Sequence, residues 1–230
     1  MKPRKIFYYN LLVFTFFFFA NLGNAQSEEI KIRFIANCAL HLNDGVNNIY
    51  IDFPYHSGAY GYMTYDDKFL AEIEENSTFI FTHLHKDHYS RELMKQVLKE
   101  KTGNKFTQWN TRKLKRWAKT IPNFEIESFK TRHRFSIRHR SYLISWHGKR
   151  IFISGDAEQA ETIGKIKNID IAFLPYWLLI DAENKGIKID AQKIAIYHIG
   201  PAQIPSATKN WQDSDVIYPL VKQGDVILLE

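Results

Sequence analysis

Apolar residues recur at two spacings along this chain. Ile30–Ile35 and Asn48–Phe53 alternate or run apolar, which predicts strands, and an Asn43-Asp44-Gly45 turn lies between them. Ser77–Thr82 is a β-branched and aromatic run, read as a buried strand. The period then changes: over Arg91–Lys101, Leu93, Met94, Val97 and Leu98 share one helical face. Arg112–Lys119 predicts a second, basic helix, and Phe124–Thr131 a strand. Ser141–Trp146 and Arg150–Ser154 form a hairpin around His147-Gly148-Lys149. Asp170–Pro175 is another apolar strand, Ala191–Tyr197 is read as helix passing into strand, and Asp225–Leu229 is a closing strand. Strands and helices interleave along the chain, so the fold class is α/β or α+β in layers.

The first 25 residues follow a different pattern. Met1–Lys5 is basic, Leu11–Ala20 is apolar except for Thr15, and small residues stand at Gly23 and Ala25. This is the three-part pattern of a secretory signal peptide, with cleavage expected between Ala25 and Gln26. The apolar run is short for a span, which needs ~20 residues. The expectation is therefore export to the periplasm or the cell exterior, no stable membrane anchor after cleavage, and one domain over residues 26–230. That reading also changes the charge. The formal net charge is +6, and removal of Lys2, Arg4 and Lys5 leaves +3. A nucleic-acid partner is not expected on that balance, and the basic residues Lys113, Lys115, Arg116 and Lys119 are read as a solvated helix surface. The only cysteine, Cys38, excludes an internal disulfide framework and a Cys-based zinc ribbon, and is read as a small buried side chain.

Candidate chemistry is concentrated in Thr82-His83-Leu84-His85-Lys86-Asp87-His88-Tyr89, directly after a predicted strand. Imidazole and carboxylate are first-row metal ligands, with Zn²⁺ the commonest fit. On a strand end His83 and His85 point the same way, because side chains alternate with period two. A turn then brings Asp87 and His88 in from another direction. An exposed His-rich loop would not require four metal-competent residues at this spacing.

The His-x-His-x-Asp-His string resembles the signature of the metallo-β-lactamase-fold superfamily, and the resemblance runs along essentially the whole exported chain. Tyr50-Ile51-Asp52-Phe53-Pro54 resembles the strand that precedes the motif there, which implies a supporting role for Asp52 behind the ligands. Ile151-Phe152-Ile153-Ser154-Gly155-Asp156 resembles the element whose carboxylate bridges two metals, with Ala157 where the family often carries Thr. Ile194-Ala195-Ile196-Tyr197-His198 resembles the strand that ends in the last ligand. One further His is implied between the first motif and Asp156. His133, His139 and His147 are the candidates, with His133 preferred over His139 because ligands in layered sheets gather at strand ends. His147, in the hairpin turn, is expected to be solvated.

The resemblance implies a four-layer αββα sandwich and a dinuclear site. His83, His85 and His133 would hold one metal, Asp87, His88 and His198 the other, and Asp156 would bridge. Two Zn²⁺ per chain are expected, with iron or manganese left open. The implied activity is hydrolysis of an ester, lactone or phosphoester in a small-molecule substrate by metal-activated hydroxide, with Asp87 orienting the nucleophile. The presence of Asp156 is more similar to the branch of L-ascorbate-6-phosphate lactonase and N-acyl-phosphatidylethanolamine phospholipase D than to zinc β-lactamases. The alternatives are a metal-stabilised binding protein without turnover, a β-lactamase-type amide hydrolase, and a redox enzyme holding iron. Arg132, Arg134, Arg138 and Arg140 surround the third motif and are read first as solvated charges. Tyr55–Tyr65 and Tyr176-Trp177-Leu178-Leu179 offer apolar walls, although packing in the core is the first expectation for each residue. His41 and His56 are expected to be structural or exposed.

Overall fold

The period-two pattern decides which side of each strand is buried, and two stacked sheets result. The computed structural model describes residues 29–230. The signal-peptide reading of residues 1–25 lies outside them. In chain order the elements are β1 (Ile30–Ala36), β2 (Ala39–Asn43), β3 (Asn48–Ile51), α1 (Lys68–Ala71), β4 (Ser77–Ile80), α2 (Arg91–Glu100), β5 (Gly103–Phe106), α3 (Thr111–Ala118) and β6 (Phe124–Lys130). There follow β7 (Arg140–Trp146), β8 (Lys149–Ile153), β9 (Ile169–Pro175), α4 (Tyr176–Asn184), β10 (Ala191–Tyr197), α5 (Ile204–Trp211), β11 (Ile217–Pro219) and β12 (Val226–Leu229). One six-stranded sheet has the order β12-β1-β2-β3-β4-β5, the other β11-β10-β9-β8-β7-β6.

Inward residues of both sheets form one apolar layer: Ile30, Ile32 and Phe34 of β1 and Ile49 and Ile51 of β3 with Tyr142, Ile144 and Trp146 of β7 and Ile151 and Ile153 of β8. The alternate residues face outwards. Tyr50 and Phe79 pack under α1 and α2 with Phe69, Met94 and Val97. Leu143, Phe152, Ala172 and Leu174 pack under α4 and α5 with Leu178, Leu179, Ala182 and Ala207. The layers are therefore helix, sheet, sheet, helix, the expected αββα arrangement. Helix α3 joins the β5 and β6 edges through Leu114 and Ala118, which lie in the layer between the sheets. No helix among the described residues is long and apolar enough to cross a membrane.

Two expectations need correction. Ala191–Tyr197 is strand throughout, hydrogen-bonded in parallel to β9 and β11. Its polar first half (Ala191-Gln192-Lys193) imitates a helix start, but pairing on both sides overrides that local signal. His147 is not solvated. Its Nε2 lies 3.1 Å from Asp44 Oδ2 and its side chain is 8% exposed, so it ties the β7–β8 turn to the β2–β3 turn.

The directions of the strands position the site. β3 is parallel to β4, and β8 is parallel to β9 and β10. The hairpins β1–β2–β3 and β6–β7–β8 return the chain, so the segments after β1 and β6 emerge at that same end.

Candidate metal centre

Six segments leave the strands at this end and converge: Asn37-Cys38 after β1, Asp52 after β3, Thr82–His88 after β4, Thr131–His139 after β6, Gly155-Asp156 after β8 and His198 after β10. Several break from the strand through a left-handed residue: Asn37 has φ 52°, Asp52 50°, Gly155 55° and His198 56°. Asn, Asp and His tolerate this region better than most residues, though not without strain. At Gly155 nothing but glycine fits. A Cβ there would stand 2.7 Å from His139 Nε2 and 2.8 Å from Thr82 Cβ.

Asp52, fully buried, organises the first motif. One oxygen accepts from Thr82 N at 2.7 Å, and the other from Thr82 Oγ1 at 2.7 Å and His88 Nδ1 at 2.9 Å. The Thr82 hydroxyl proton is thereby used, so its oxygen accepts from His83 Nδ1 at 3.1 Å. With Nδ1 engaged in this way, each imidazole turns Nε2 towards the cluster. His85 is arranged the opposite way. Its Nε2 donates to Phe135 O at 3.3 Å, which leaves Nδ1 facing His133 Nε2 at 3.2 Å.

Asp156 touches both groups of imidazoles. Oδ1 lies 3.0 Å from His88 Nε2; Oδ2 lies 3.2 Å from His198 Nε2, 3.6 Å from His133 Nε2 and 3.8 Å from His83 Nε2. Asp87 Oδ2 lies 3.2 Å from His198 Nε2 and 3.8 Å from His88 Nε2. His83, His85 and His133 can each present an atom within 4.8 Å of the others, and so can Cys38, His88, Asp156 and His198.

His139 is close by but turned to other partners. Its Nε2 accepts from Asp156 N at 2.9 Å and its Nδ1 donates to Thr131 Oγ1 at 2.8 Å. Neither nitrogen has a lone pair to offer the cluster. His139 instead holds the backbone of Asp156. His41 and His56 lie elsewhere: His41 stacks on Tyr50 with ring centroids 4.3 Å apart, and exposed His56 reaches Glu92 at 3.6 Å.

The carboxylates and imidazoles of the cluster bias one another's charge. Burial alone would lower His88 and His198, but the Asp156 carboxylate outweighs it and holds both well above the usual imidazole range. Burial would raise Asp156, but His198 and His88 hold it well below the carboxylate range. His83, buried and beside His88, is pushed well below its ordinary value, and burial pushes His139 down to about 3. No well-directed hydrogen bond reaches several buried atoms, although carboxylate oxygens stand near the Nε2 atoms: Nε2 of His83 and His88, both ring nitrogens of His198, and Asp87 Oδ1. Buried polar atoms are rarely left this way. The donor set of imidazole nitrogens around two carboxylates fits divalent cations, which would take the place of the Nε2 protons.

Aromatic walls surround the cluster. Tyr62 meets the His198 ring edge-on at 4.1 Å, and Trp177 meets it at 5.1 Å. Of the two aromatic segments, these residues face the site, whereas Tyr55 and Tyr65 are buried under α1. Beside His133 opens a groove of about 430 Å³, lined also by Glu158, Trp177, Ile180, Asp181 and Asn184. Arg132, Arg134 and Arg138 are exposed, as expected, whereas Arg140 is half-buried because it begins β7 and pairs with β6. Arg134 lies 4.9 Å over Phe135 and Arg138 lies 4.6 Å over Trp109. Residues beyond the expected ligands take part: Thr82 as a hydrogen-bond relay, Thr131 behind His139, Asn37 as a tie to the motif loop, and Cys38, buried as expected and also beside the cluster. The Thr82 and Thr131 hydroxyls sit at strand ends just before metal-competent residues, which is the only signal sequence offers for them.

No family model matches the chain, and no curated protein matches it. Solved structures do. A metallo hydrolase from the archaeon Ignicoccus hospitalis is 14% identical with a TM-score of 0.64, over 88% of this chain and 99% of that one. A protein described as a metal-dependent hydrolase from Parabacteroides distasonis is 21% identical with a TM-score of 0.61, over 83% and 92%. The metallo-β-lactamase-fold protein YhfI from Bacillus subtilis is 13% identical with a TM-score of 0.61, over 87% and 100%. With its two six-stranded sheets, flanking helices and end-on cluster, this chain has the metallo-β-lactamase fold.

Proposed function

We propose that the protein is an exported metal-dependent hydrolase with a dinuclear, zinc-type site, acting on an ester, lactone or phosphoester of a small molecule. The observation that carries this is Asp156, whose two oxygens reach both imidazole groups. His83 Nε2, His85 Nδ1 and His133 Nε2 would hold one metal and Asp87, His88 Nε2 and His198 Nε2 the other, with Asp156 between the two groups. Divalent metal bound there supplies Lewis acidity and a water acidic enough to attack near neutral pH.

The protein's own groups do the rest. Asp52, Thr82 and the Phe135 carbonyl fix the tautomers that expose the lone pairs. His139 fixes the backbone of Asp156. Asp87 Oδ1, buried and without a partner, is available to orient the nucleophile. Tyr62 and Trp177 limit water on the His198 side, and the groove beside His133 offers Trp177 and Ile180 to an apolar substrate group, with Glu158 and Asn184 as polar anchors. Asp156 also favours the branch resembling L-ascorbate-6-phosphate lactonase over β-lactam hydrolysis, and the Leu11–Ala25 pattern favours export.

The test pairs elemental analysis with a hydrolysis screen of lactones, phosphodiesters and cephalosporins. Two zinc per chain with turnover of a lactone or phosphodiester is the expected result. Bound metal with no turnover in any class would favour a binding protein, and two iron would redirect the work to redox chemistry.

A further inference from the structure

The sole cysteine of the chain lies at the cluster and not merely in the core. Cys38 stands in the turn between β1 and β2, and two bonds press that turn onto ligand-bearing segments. Asn37 Nδ2 donates to Asp87 O at 3.0 Å, and His198 N donates to Asn37 O at 3.0 Å. Cys38 Sγ then lies 4.0 Å from Asp156 Oδ1. Its sulfur, His88 Nε2, His198 and Asp156 all come within 4.8 Å of one another. A second observation points to a ligand in the same space: Nε2 of His88 and of His198, on side chains 0% and 1% exposed, makes no well-directed hydrogen bond and faces only carboxylate oxygens, Asp156 at 3.0 and 3.2 Å. The two imidazoles, one carboxylate oxygen and a sulfur surround one point.

We infer that Cys38 is a ligand of the second metal, beside His88, His198 and Asp156; this rests on the metal-site reading above and deepens it. Binding removes the thiol proton to solvent and leaves a sulfur–metal bond. A thiolate makes this half of the site softer than the His83–His85–His133 half, so the two positions differ in preference. The Cys38 position favours zinc or cobalt, and discriminates against magnesium and manganese.

Cobalt loading tests this without any substrate. The full chain is titrated with Co²⁺ in thiol-free buffer and followed by absorption. Because the chain has one Cys, any intramolecular sulfur-to-cobalt charge-transfer band in the near ultraviolet belongs to Cys38. The expected result is that this band grows with one of two cobalt equivalents. In Cys38→Ser the band is absent, the visible d–d bands of the other site persist, and affinity for one equivalent falls at least ~10-fold. Cys38→Ala, checked by circular dichroism, serves if the serine variant does not fold; if neither folds, the wild-type band decides. Two bound cobalt ions without a charge-transfer band overturn the inference and leave the metal site standing. A band that survives in Cys38→Ser also overturns it. No bound cobalt overturns the metal-site reading itself, and this inference with it.

Discussion

Asp52 accepts three hydrogen bonds at 0% exposure, and it is 36 positions from His88 in sequence. An Asn there would offer an amide N–H to Thr82 Oγ1 and His88 Nδ1, both of which already donate. Supporting partners of this kind are worth ~10–100-fold in metal affinity. Asp52→Asn should therefore weaken metal binding by that factor in a chelator competition, and an unchanged affinity would refute the role given to Asp52. His133 and His139 are separated by the same reasoning. His133→Ala should lose about one metal per chain. His139→Ala should keep both but lose roughly 1–3 kcal/mol of stability, because a buried Asp156 N–H loses its acceptor. The reverse pattern would show that His139 is the ligand. His41, remote from the cluster, gives a pH prediction. Burial lowers it below 6.5 even though Nε2 bonds to Asn48 at 2.8 Å. The unfolded chain takes up a proton that the folded chain refuses, so this contribution is full above pH ~6.5 and is lost as pH falls towards the folded value. His41→Gln should flatten the stability–pH curve between about pH 7 and 5 in urea titrations.

Among the elements, the break after β8 is the most constrained. Gly155 turns at φ 55° against His139 and Thr82, so Gly155→Ala adds a left-handed penalty to a backbone-adjacent clash. The two together amount to roughly 2–4 kcal/mol. Denaturant unfolding should record that loss, and metal content should fall because Asp156 follows directly. A variant as stable as the parent would mean that the segment relaxes freely. The elements that the sequence reading identified share a property. β1, β4, β7, β8 and β9 are apolar on one or both faces, and that survives in local composition. β2, β5 and β11 did not emerge. β2 carries His41 and Asn43, β5 is exposed over Gly103–Lys105, and β11 is three residues long at a sheet edge. Their strand character comes from backbone pairing with neighbours distant in sequence, to which no periodicity points.

At the scale of the molecule, two sheets place six loops at one end, and the loops carry like-tempered groups that water no longer screens. Three imidazoles meet within 4.8 Å on one side of Asp156, and two imidazoles and a thiol on the other. A cation that binds only the folded chain stabilises it by mass action. Chelation should lower unfolding stability by ~2.7 kcal/mol relative to protein held in free metal at 100 times the dissociation constant. Calorimetry with and without a chelator checks this, and equal curves would argue against any tight site.

The sequence by itself determined the chemistry on offer and its order along the chain. His83, His85, Asp87 and His88 are packed into six positions, and Asp156 and His198 each follow an apolar strand. Short spacing and strand periodicity are local properties, so they are legible in the chain alone. The superfamily resemblance rested on those same residues, and the fold agrees with it. Only the tertiary structure decided which ring nitrogens are free. That depends on hydrogen bonds accepted by Asp52 after β3 and by Thr131 and the Phe135 carbonyl after β6, segments distant in sequence from most of the rings they hold. It also decided that Cys38, 118 positions from Asp156, faces the cluster. The physical reason is common to both: a lone pair becomes available when its alternative partners are placed elsewhere, and that placement is made by strand pairing between distant segments.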